Sequence, residues 1–430
     1  MRRLASVCCC LVLACLAGCS QPPQPSNKLI LWHWMTDRQD TLQKLAQEYK
    51  EKTGIEVAVQ LFAPSESYSQ KVIAAAQANV LPDIYGILDK KSIVADFIKA
   101  GLVTDLTPDM EAGGGVWKNS LYAKALADKS FDPGNSYGIK PGIYGVPIDV
   151  TNEQMLYNKK LLAKAGIKNP PQTFDDFLKD AHLLRRVGIT PFVAGWGELW
   201  LLDCFASNYA FNIMGEQKVF DTFRGKVKYT DPDWLKVFGV FAQLYKNGVL
   251  MNGIVTKGNK YAEQDFALER AAFAFNGSWC VNVYKEMNPK LDYGVIPPPP
   301  ISNAYPLKIW GSAGSTFVVN AQSPNKDKAI AFLKWLTSEK QQEVLARETN
   351  NLPSNRQATV AVSPILRDFS KGMEESTHPN IWPLNEDPTV SEAFDRGLQA
   401  ILIGDKTPEQ VAQEVQKVKD QQMAKHNRRR

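Results

Sequence analysis

The sequence predicts an α/β protein built as two lobes, with a ligand cleft between them and more than one crossing of the chain. Three observations predict it. At 430 residues the chain exceeds what one ordinary core fills, and suggests two domains of roughly 150–200 residues each. Short apolar, β-rich runs alternate with amphipathic helices, the pattern of a largely parallel sheet with ligand groups at its strand ends. Finally, an apolar strand through Tyr144, Gly145 and Pro147 gives way to a polar cluster, Asp149, Thr151, Asn152 and Glu153. A helix with Leu161, Leu162 and Ala165 follows, and Gly166 stands where a left-handed cap is expected. A strand that ends in polar groups before a new α/β unit is a natural crossing point, which makes Asp149 and Thr151 candidate ligand groups.

Taken in order, Leu29-Ile-Leu-Trp-His-Trp34 reads as a buried strand. Leu42, Leu45, Ala46 and Tyr49 recur at helical spacing and Gly54 ends their helix. Ile55-Glu-Val-Ala-Val-Gln-Leu61 alternates as a second strand, Val72, Ile73 and Ala76 mark a helix, and Leu81-Pro-Asp-Ile-Tyr85 is a third strand. Ser92 caps a helix carrying Ile93, Val94, Phe97 and Ile98, stopped by Gly101. In the second unit Thr173-Phe-Asp-Asp176 opens a helix with Phe174, Phe177, Ala181 and Leu184. Asp231-Pro232 opens another, through Trp234, Val237, Phe238, Phe241 and Leu244. Ala272-Phe-Ala-Phe-Asn-Gly-Ser-Trp279 is a strand that breaks at a polar turn. Val295-Ile-Pro-Pro-Pro-Pro300 suits neither a central strand nor a helix interior, and reads as a stiff connector and second lobe crossing. Trp310-Gly-Ser-Ala-Gly-Ser-Thr is a glycine-rich turn into a strand, and helices carry Ala329 to Leu336 and Val411 to Val418.

The composition, 44% apolar and 22% charged, is that of a folded globular protein. A net charge of +5 over this length gives no reason to invoke nucleic acid. Residues 1–18 read as a leader: Met1-Arg-Arg is cationic, an apolar run follows, and Leu16-Ala-Gly-Cys19 closes it. That ending resembles the lipobox of bacterial lipoproteins, which implies lipidation of Cys19 and a membrane-surface anchor followed by a polar tether to residue 28. Export would leave Cys204 and Cys280, which either pair or sit buried as small apolar groups.

Several segments in register resemble the family 1 extracellular solute-binding proteins, the carbohydrate receptors of ABC importers. They are the helix ending at Gly54 with the strand after it, Leu81-Pro-Asp-Ile, and Tyr144-Gly-Val-Pro with Leu156-Tyr-Asn-Lys-Lys-Leu-Leu. Phe275-Asn-Gly-Ser-Trp279 and Ser323-Pro-Asn-Lys-Asp-Lys-Ala complete the set. The resemblance implies an α/β, two-lobed periplasmic-binding-protein fold of type II. It places residues 29–147 and 298–337 in the N-terminal lobe, and 148–297 and 338–430 in the C-terminal lobe. It also implies hinge closure on a sugar, expected to be an oligosaccharide, and delivery to ABC permease subunits, with no catalysis and no cofactor. A monomer is expected, in an extracytoplasmic place.

Sugar chemistry sets the same expectation, because C–H faces stack on aromatic rings while hydroxyls seek charged and amide partners. The candidate ligand residues are Trp34 and Asp37 after the first strand, Asp149 and Thr151 past the hinge, and Trp196, Glu198 and Trp200 in a glycine-flanked loop. Asn276, Trp279 and Trp310 stand at strand breaks, and Trp32 is assigned to the core. By resemblance, Asp89 with Lys90 follows the third strand and Trp382 lies in a late loop over the ligand. Against these stand a glycoside hydrolase or lyase, for which no carboxylate pair can be singled out, and a same-fold receptor for peptides, polyamines or iron. The four histidines are scattered without metal-site spacing, and Gly113-Gly-Gly115 lacks the lysine of a phosphate loop.

Overall fold

The computed structural model describes residues 26–63, 65–88, 91–135, 137–374 and 386–428. Cys19, Asp89, Lys90 and Trp382 lie outside the described residues. Eleven strands occur among those described: β1 Lys28–His33, β2 Glu56–Leu61, β3 Ile84–Gly86, β4 Ser130–Phe131, β5 Gly142–Ile143, β6 Val146–Asn158, β7 Thr190–Val193, β8 Ala271–Gly277, β9 Tyr293–Ile296, β10 Gly311–Val319 and β11 Leu352–Pro353. The main sheet runs β2-β1-β3-β10-β6-β8-β7, with β9 and β11 also paired to β6, while β4 and β5 form a separate ribbon.

The helices follow from their apolar stripes and caps. Helix Gln39–Thr53 buries Leu42, Leu45, Ala46 and Tyr49, and Gly54 ends it at φ 73°, a conformation that costs a glycine little. In helix Phe174–Arg186 the Thr173 side chain accepts the Asp176 N–H, and in helix Pro232–Lys246 Asp231 accepts that of Asp233. Two cores result. One gathers Leu29, Leu31, Leu45, Phe317 and Phe332; the other, rich in aromatics, gathers Phe177, Phe192, Phe205, Trp234, Phe241 and Phe273. No helix among the described residues is long and apolar enough to cross a membrane.

The sheet departs from the expected parallel pattern. β1 pairs parallel with β2 and β3, and β7 with β8, as consecutive βαβ units require. Between these parallel halves the seam is antiparallel, β10 on β3 and on β6, and β6 on β8. β6 is also no strand that stops at its polar cluster. It runs through Asp149, Thr151, Asn152 and Glu153 to Asn158. Its first half is flanked by β10 and β11, its second half by β8 and β9. These ladders satisfy much of its backbone, which is what lets a polar segment stay extended. Among its side chains, Asn152 Nδ2 and Gln154 Nε2 both donate to the Phe369 carbonyl, at 2.9 and 3.2 Å. The buried Glu153 carboxyl has no hydrogen-bond partner among the described residues, and burial holds it well above the ordinary carboxylate range.

One further segment differs from expectation. Gly311 to Ser315 is strand with a bulge, not a turn; a Cβ on Gly314 would stand 2.6 Å from Asp149 Oδ1. The proline run follows β9 as a connector, and the chain just after it is held on helix Leu199–Phe223. There Asn212 Nδ2 donates to the Ser302 and Tyr305 carbonyls, both at 2.8 Å, and Asn212 Oδ1 accepts from the Ile301 and Ser302 amides.

Candidate functional site

The extended β6 sets out the polar floor. Asp149 and Thr151 face the same side because strand side chains alternate. Asp149 is buried, and Arg38 Nη2, from the turn after β1, lies 2.6 Å from its Oδ2. Arg38 Nη1 also donates to Ser315 Oγ of β10 at 2.8 Å, so one guanidinium ties three segments. Burial pushes the Asp149 carboxyl up to about 6, with Arg38 opposing the rise and Asp37 adding to it. Thr151 Oγ1 lies 3.1 Å from Ser278 Oγ, joining β6 to the turn after β8. Asp37 is exposed, with Asn351 Nδ2 donating to it at 3.3 Å.

A separate cavity of about 1060 Å³ is lined by Lys91, Ser92, Tyr137, Trp200, Asp203 and Trp310, together with Glu386, Asp395 and Lys419. Asp149 and Thr151 are not part of its lining. Trp310 immediately precedes β10; its backbone N–H donates to Asn208 Oδ1 at 3.2 Å and its carbonyl accepts the Glu153 N–H at 3.0 Å. Trp200 lies in the first turn of helix Leu199–Phe223 and is 43% exposed. Its ring centroid is 5.8 Å from that of half-buried Trp279, the planes inclined by 51°. Lys91 Nζ donates to the Ala127 carbonyl at 3.1 Å, and burial lowers its ammonium to about 8. Such a wall offers aromatic faces and charged groups together. It can stack on a ring and bond its substituents.

Not every candidate reaches this space. Trp196 has no exposed surface and packs among Phe192, Phe205 and Phe241, so it is a core residue. Asn276 is buried and spends its amide on Glu263, Asn259, Tyr284 and the Gly277 N–H. Glu198 is half-buried and bonds Trp200 Nε1 and the Asn259 N–H. Both support the aromatic wall from behind. Trp34 packs on Tyr68 and Phe317, its ring lying where a Cβ of Gly86 would be. Cys204 and Cys280 are buried free thiols, and burial holds both well above the ordinary thiol range.

A family model described as bacterial extracellular solute-binding protein matches residues 33–343, well over half of the chain. The chain belongs to that family. Among curated relatives, this solute-binding protein is 24% identical over 375 residues to the melibiose/raffinose/stachyose-binding protein MelE of Bacillus subtilis, covering 80% of this chain and 79% of MelE. Its fold is shared with a solved structure from work on xylan utilization by Caldanaerobius polysaccharolyticus, at TM-score 0.75 and 19% identity, covering 91% of this chain and 99% of that one. A chitin oligosaccharide binding protein matches at TM-score 0.74 and 22% identity, over 92% and 98% of the two chains. The family is one of binding proteins, not enzymes, which removes the hydrolase and lyase readings.

Sequence reasoning did not single out several residues that the fold brings to this candidate site. Arg38 directly follows Asp37 at the end of the first strand, so its position carried a usable signal. Lys91 directly follows the Asp89-Lys90 pair after the third strand, so it too adjoined a signal, whereas Tyr137 lies in no strand-end motif. Glu263, fully enclosed, accepts N–H groups from Asn259, Asn276 and Trp279, and only the tertiary fold brings those together.

Proposed function

We propose that this solute-binding protein is an extracytoplasmic receptor, anchored through a lipidated Cys19, that closes on an oligosaccharide and presents it to an ABC permease. The observation that carries the reading is the aromatic wall: Trp200 and Trp310 line one cavity with Lys91 and Tyr137, and Trp279 adjoins Trp200. Rings so arranged suit the C–H faces of pyranoses, and the charged and hydroxyl groups of the same lining suit a sugar's hydroxyls. The relative named for melibiose, raffinose and stachyose binding, and the structure named for chitin oligosaccharide, support a sugar of more than one ring. The family's extracellular character supports the location, and the Leu16-Ala-Gly-Cys19 ending supports the anchor.

In this reading residues 29–147 with 298–337 form one lobe and 148–297 with 338–430 the other. The receptor works as a monomer. Ligand seated on one lobe gains contacts from the other only in the closed form, and that difference in affinity drives closure. In the same reading Asp37, Asp149, Thr151, Trp200, Trp279 and Trp310 take part directly, and Asp89 and Trp382, outside the described residues, remain candidates by resemblance.

A thermal-shift screen of the purified protein against mono- and oligosaccharides, amino acids, polyamines and iron chelates tests this. A ligand at about 100 times its dissociation constant adds roughly 2.7 kcal/mol to the native state. An oligosaccharide that raises the melting temperature, changes tryptophan fluorescence and is recovered intact is the expected result. A response confined to a non-sugar solute would overturn the ligand assignment.

A further inference from the structure

We propose that Glu198 and Glu263, joined through Asn259, are positioning residues that set the orientation of the Trp200–Trp279 pair and, through it, sugar affinity. The proposal rests on the sugar-receptor reading above for its last clause and on geometry alone for the rest. Glu198 Oε2 accepts Trp200 Nε1–H at 2.9 Å, and Glu198 Oε1 accepts the backbone N–H of Asn259 at 2.6 Å. Asn259 Nδ2 then donates to Glu263 Oε1 at 3.2 Å, and that same oxygen accepts Trp279 Nε1–H at 3.2 Å. One continuous chain of hydrogen bonds therefore runs from the first indole to the second.

The chemistry of each link suits positioning. Glu263 has no exposed surface, and a carboxylate taken from water is costly unless several donors meet it. Here Asn259, Asn276 and Trp279 meet Oε1 and Lys260 meets Oε2 at 3.0 Å. Glu198 places its charge at the N-terminus of helix Asn259–Ala267, where the first free amides favour an anion. Charge-assisted bonds of this kind are stronger than those an indole finds in water. Trp200 is 43% exposed and has solvent available, yet its N–H is tied to a carboxylate.

The backbone is shaped around the same chain. A Cβ on Gly195 would lie 2.4 Å from Asn259 Cα, and one on Gly197 would lie 2.8 Å from the Thr256 carbonyl carbon. A Cβ on Gly277 would sit 1.9 Å from the Trp279 ring. Glycines thus let the loop before helix Leu199–Phe223 close onto helix Asn259–Ala267, and let Trp279 fold back over the end of β8. Neither ring can turn without breaking a bond to a carboxylate or meeting backbone.

The test uses the full chain purified in detergent and labelled with 5-fluorotryptophan, with the Trp279 and Trp200 fluorine resonances assigned from W279F and W200F. Without sugar, E263Q is expected to shift or broaden the Trp279 resonance, and E198Q that of Trp200. Raffinose and N,N′-diacetylchitobiose serve as calorimetric probes, and E263Q is expected to weaken whichever binds by about tenfold, the scale of a lost charge-assisted bond. In a W279F background, where the ring has no N–H to hold, the same substitution should change affinity by less than about twofold. Unmoved resonances would overturn the proposal, and so would an equal loss of affinity in both backgrounds. If E263Q does not fold, half-buried Glu198 carries the same cycle with W200F. If neither probe binds the unaltered protein, the sugar reading fails there, and the fluorine resonances alone decide the brace.

Discussion

At the scale of single residues, two tryptophans four positions apart do opposite work. Trp196 is enclosed by three phenylalanines, whereas Trp200 is 43% exposed on the cavity wall. Trp196→Ala is expected to cost about 3–5 kcal/mol of stability, because an aromatic void in a packed core does not collapse. Trp200→Ala should cost less than about 1 kcal/mol, and chemical denaturation of the two variants measures the difference. An equal loss would show that the exposed ring carries structure. Asp149 permits a second prediction. Burial raises its carboxyl to about 6, so the folded state holds this proton more tightly than the unfolded chain does. Its contribution to stability is therefore fully present below the unfolded value, near pH 4, and is lost as pH rises through 6. Across that interval the loss is roughly 3 kcal/mol, because a tenfold difference in proton affinity is worth about 1.36 kcal/mol. Asp149→Asn removes the titration, so the stability of the unaltered protein relative to this variant should fall between pH 4 and 6 and stay level from 7 to 8. A gap that does not change with pH would mean that Arg38, 2.6 Å away, fully compensates the burial.

At the scale of elements, helices announced themselves through local signals. The Leu42, Leu45, Ala46, Tyr49 stripe with Gly54 behind it, and the Thr173 and Asp231 caps, each need only neighbours in sequence. Thr173→Ala accordingly has a bounded effect. It should destabilise the protein by about 1 kcal/mol, the usual worth of an N-cap, and leave sugar affinity unchanged, since the cap is exposed and remote from the cavity. Changed affinity in calorimetry would mean that helix Phe174–Arg186 communicates with the site. The hinge strand was legible only as far as Pro147. Asn152, Thr151 and Asp149 meet Phe369, Ser278 and Arg38, which arrive from distant segments, so alternation alone read this stretch as a loop. Gly314 misled in the same way: glycine marks a turn locally, yet here it makes room for Asp149 across a bulge. Tryptophans at strand breaks were visible as candidates, but exposure separates Trp200 from Trp196, and exposure is a property of packing. Glu263 has Asn259 and Lys260 one turn away on its own helix. The partners that tie it to the aromatic pair, Asn276 and Trp279, lie on β8 and the turn after it, out of reach of a local reading.

At the scale of the whole molecule, the nature of the crossing decides how the lobes can move. A pair of flexible loops would permit wide, unguided motion. β6 instead spans 13 residues, hydrogen-bonded to β10 and β11 over one half and to β8 and β9 over the other. We propose that motion between the halves comes from twisting and bending of a continuous sheet at the bulge beside Gly314, with its ladder kept, because opening the ladder would strand buried backbone groups. Hydrogen exchange read by mass spectrometry distinguishes the two cases. Amides of residues 150–157 are expected among the slowest to exchange both without ligand and with a bound oligosaccharide, as befits core strands. Amides of the cavity margin, at Ser92, Tyr137 and residues 197–200, should become slower when the sugar is present. If the hinge amides instead exchange quickly in the free protein and slow on binding, the strand forms only on closure. The crossing would then be a disorder-to-order hinge, and part of the binding free energy would go to folding it.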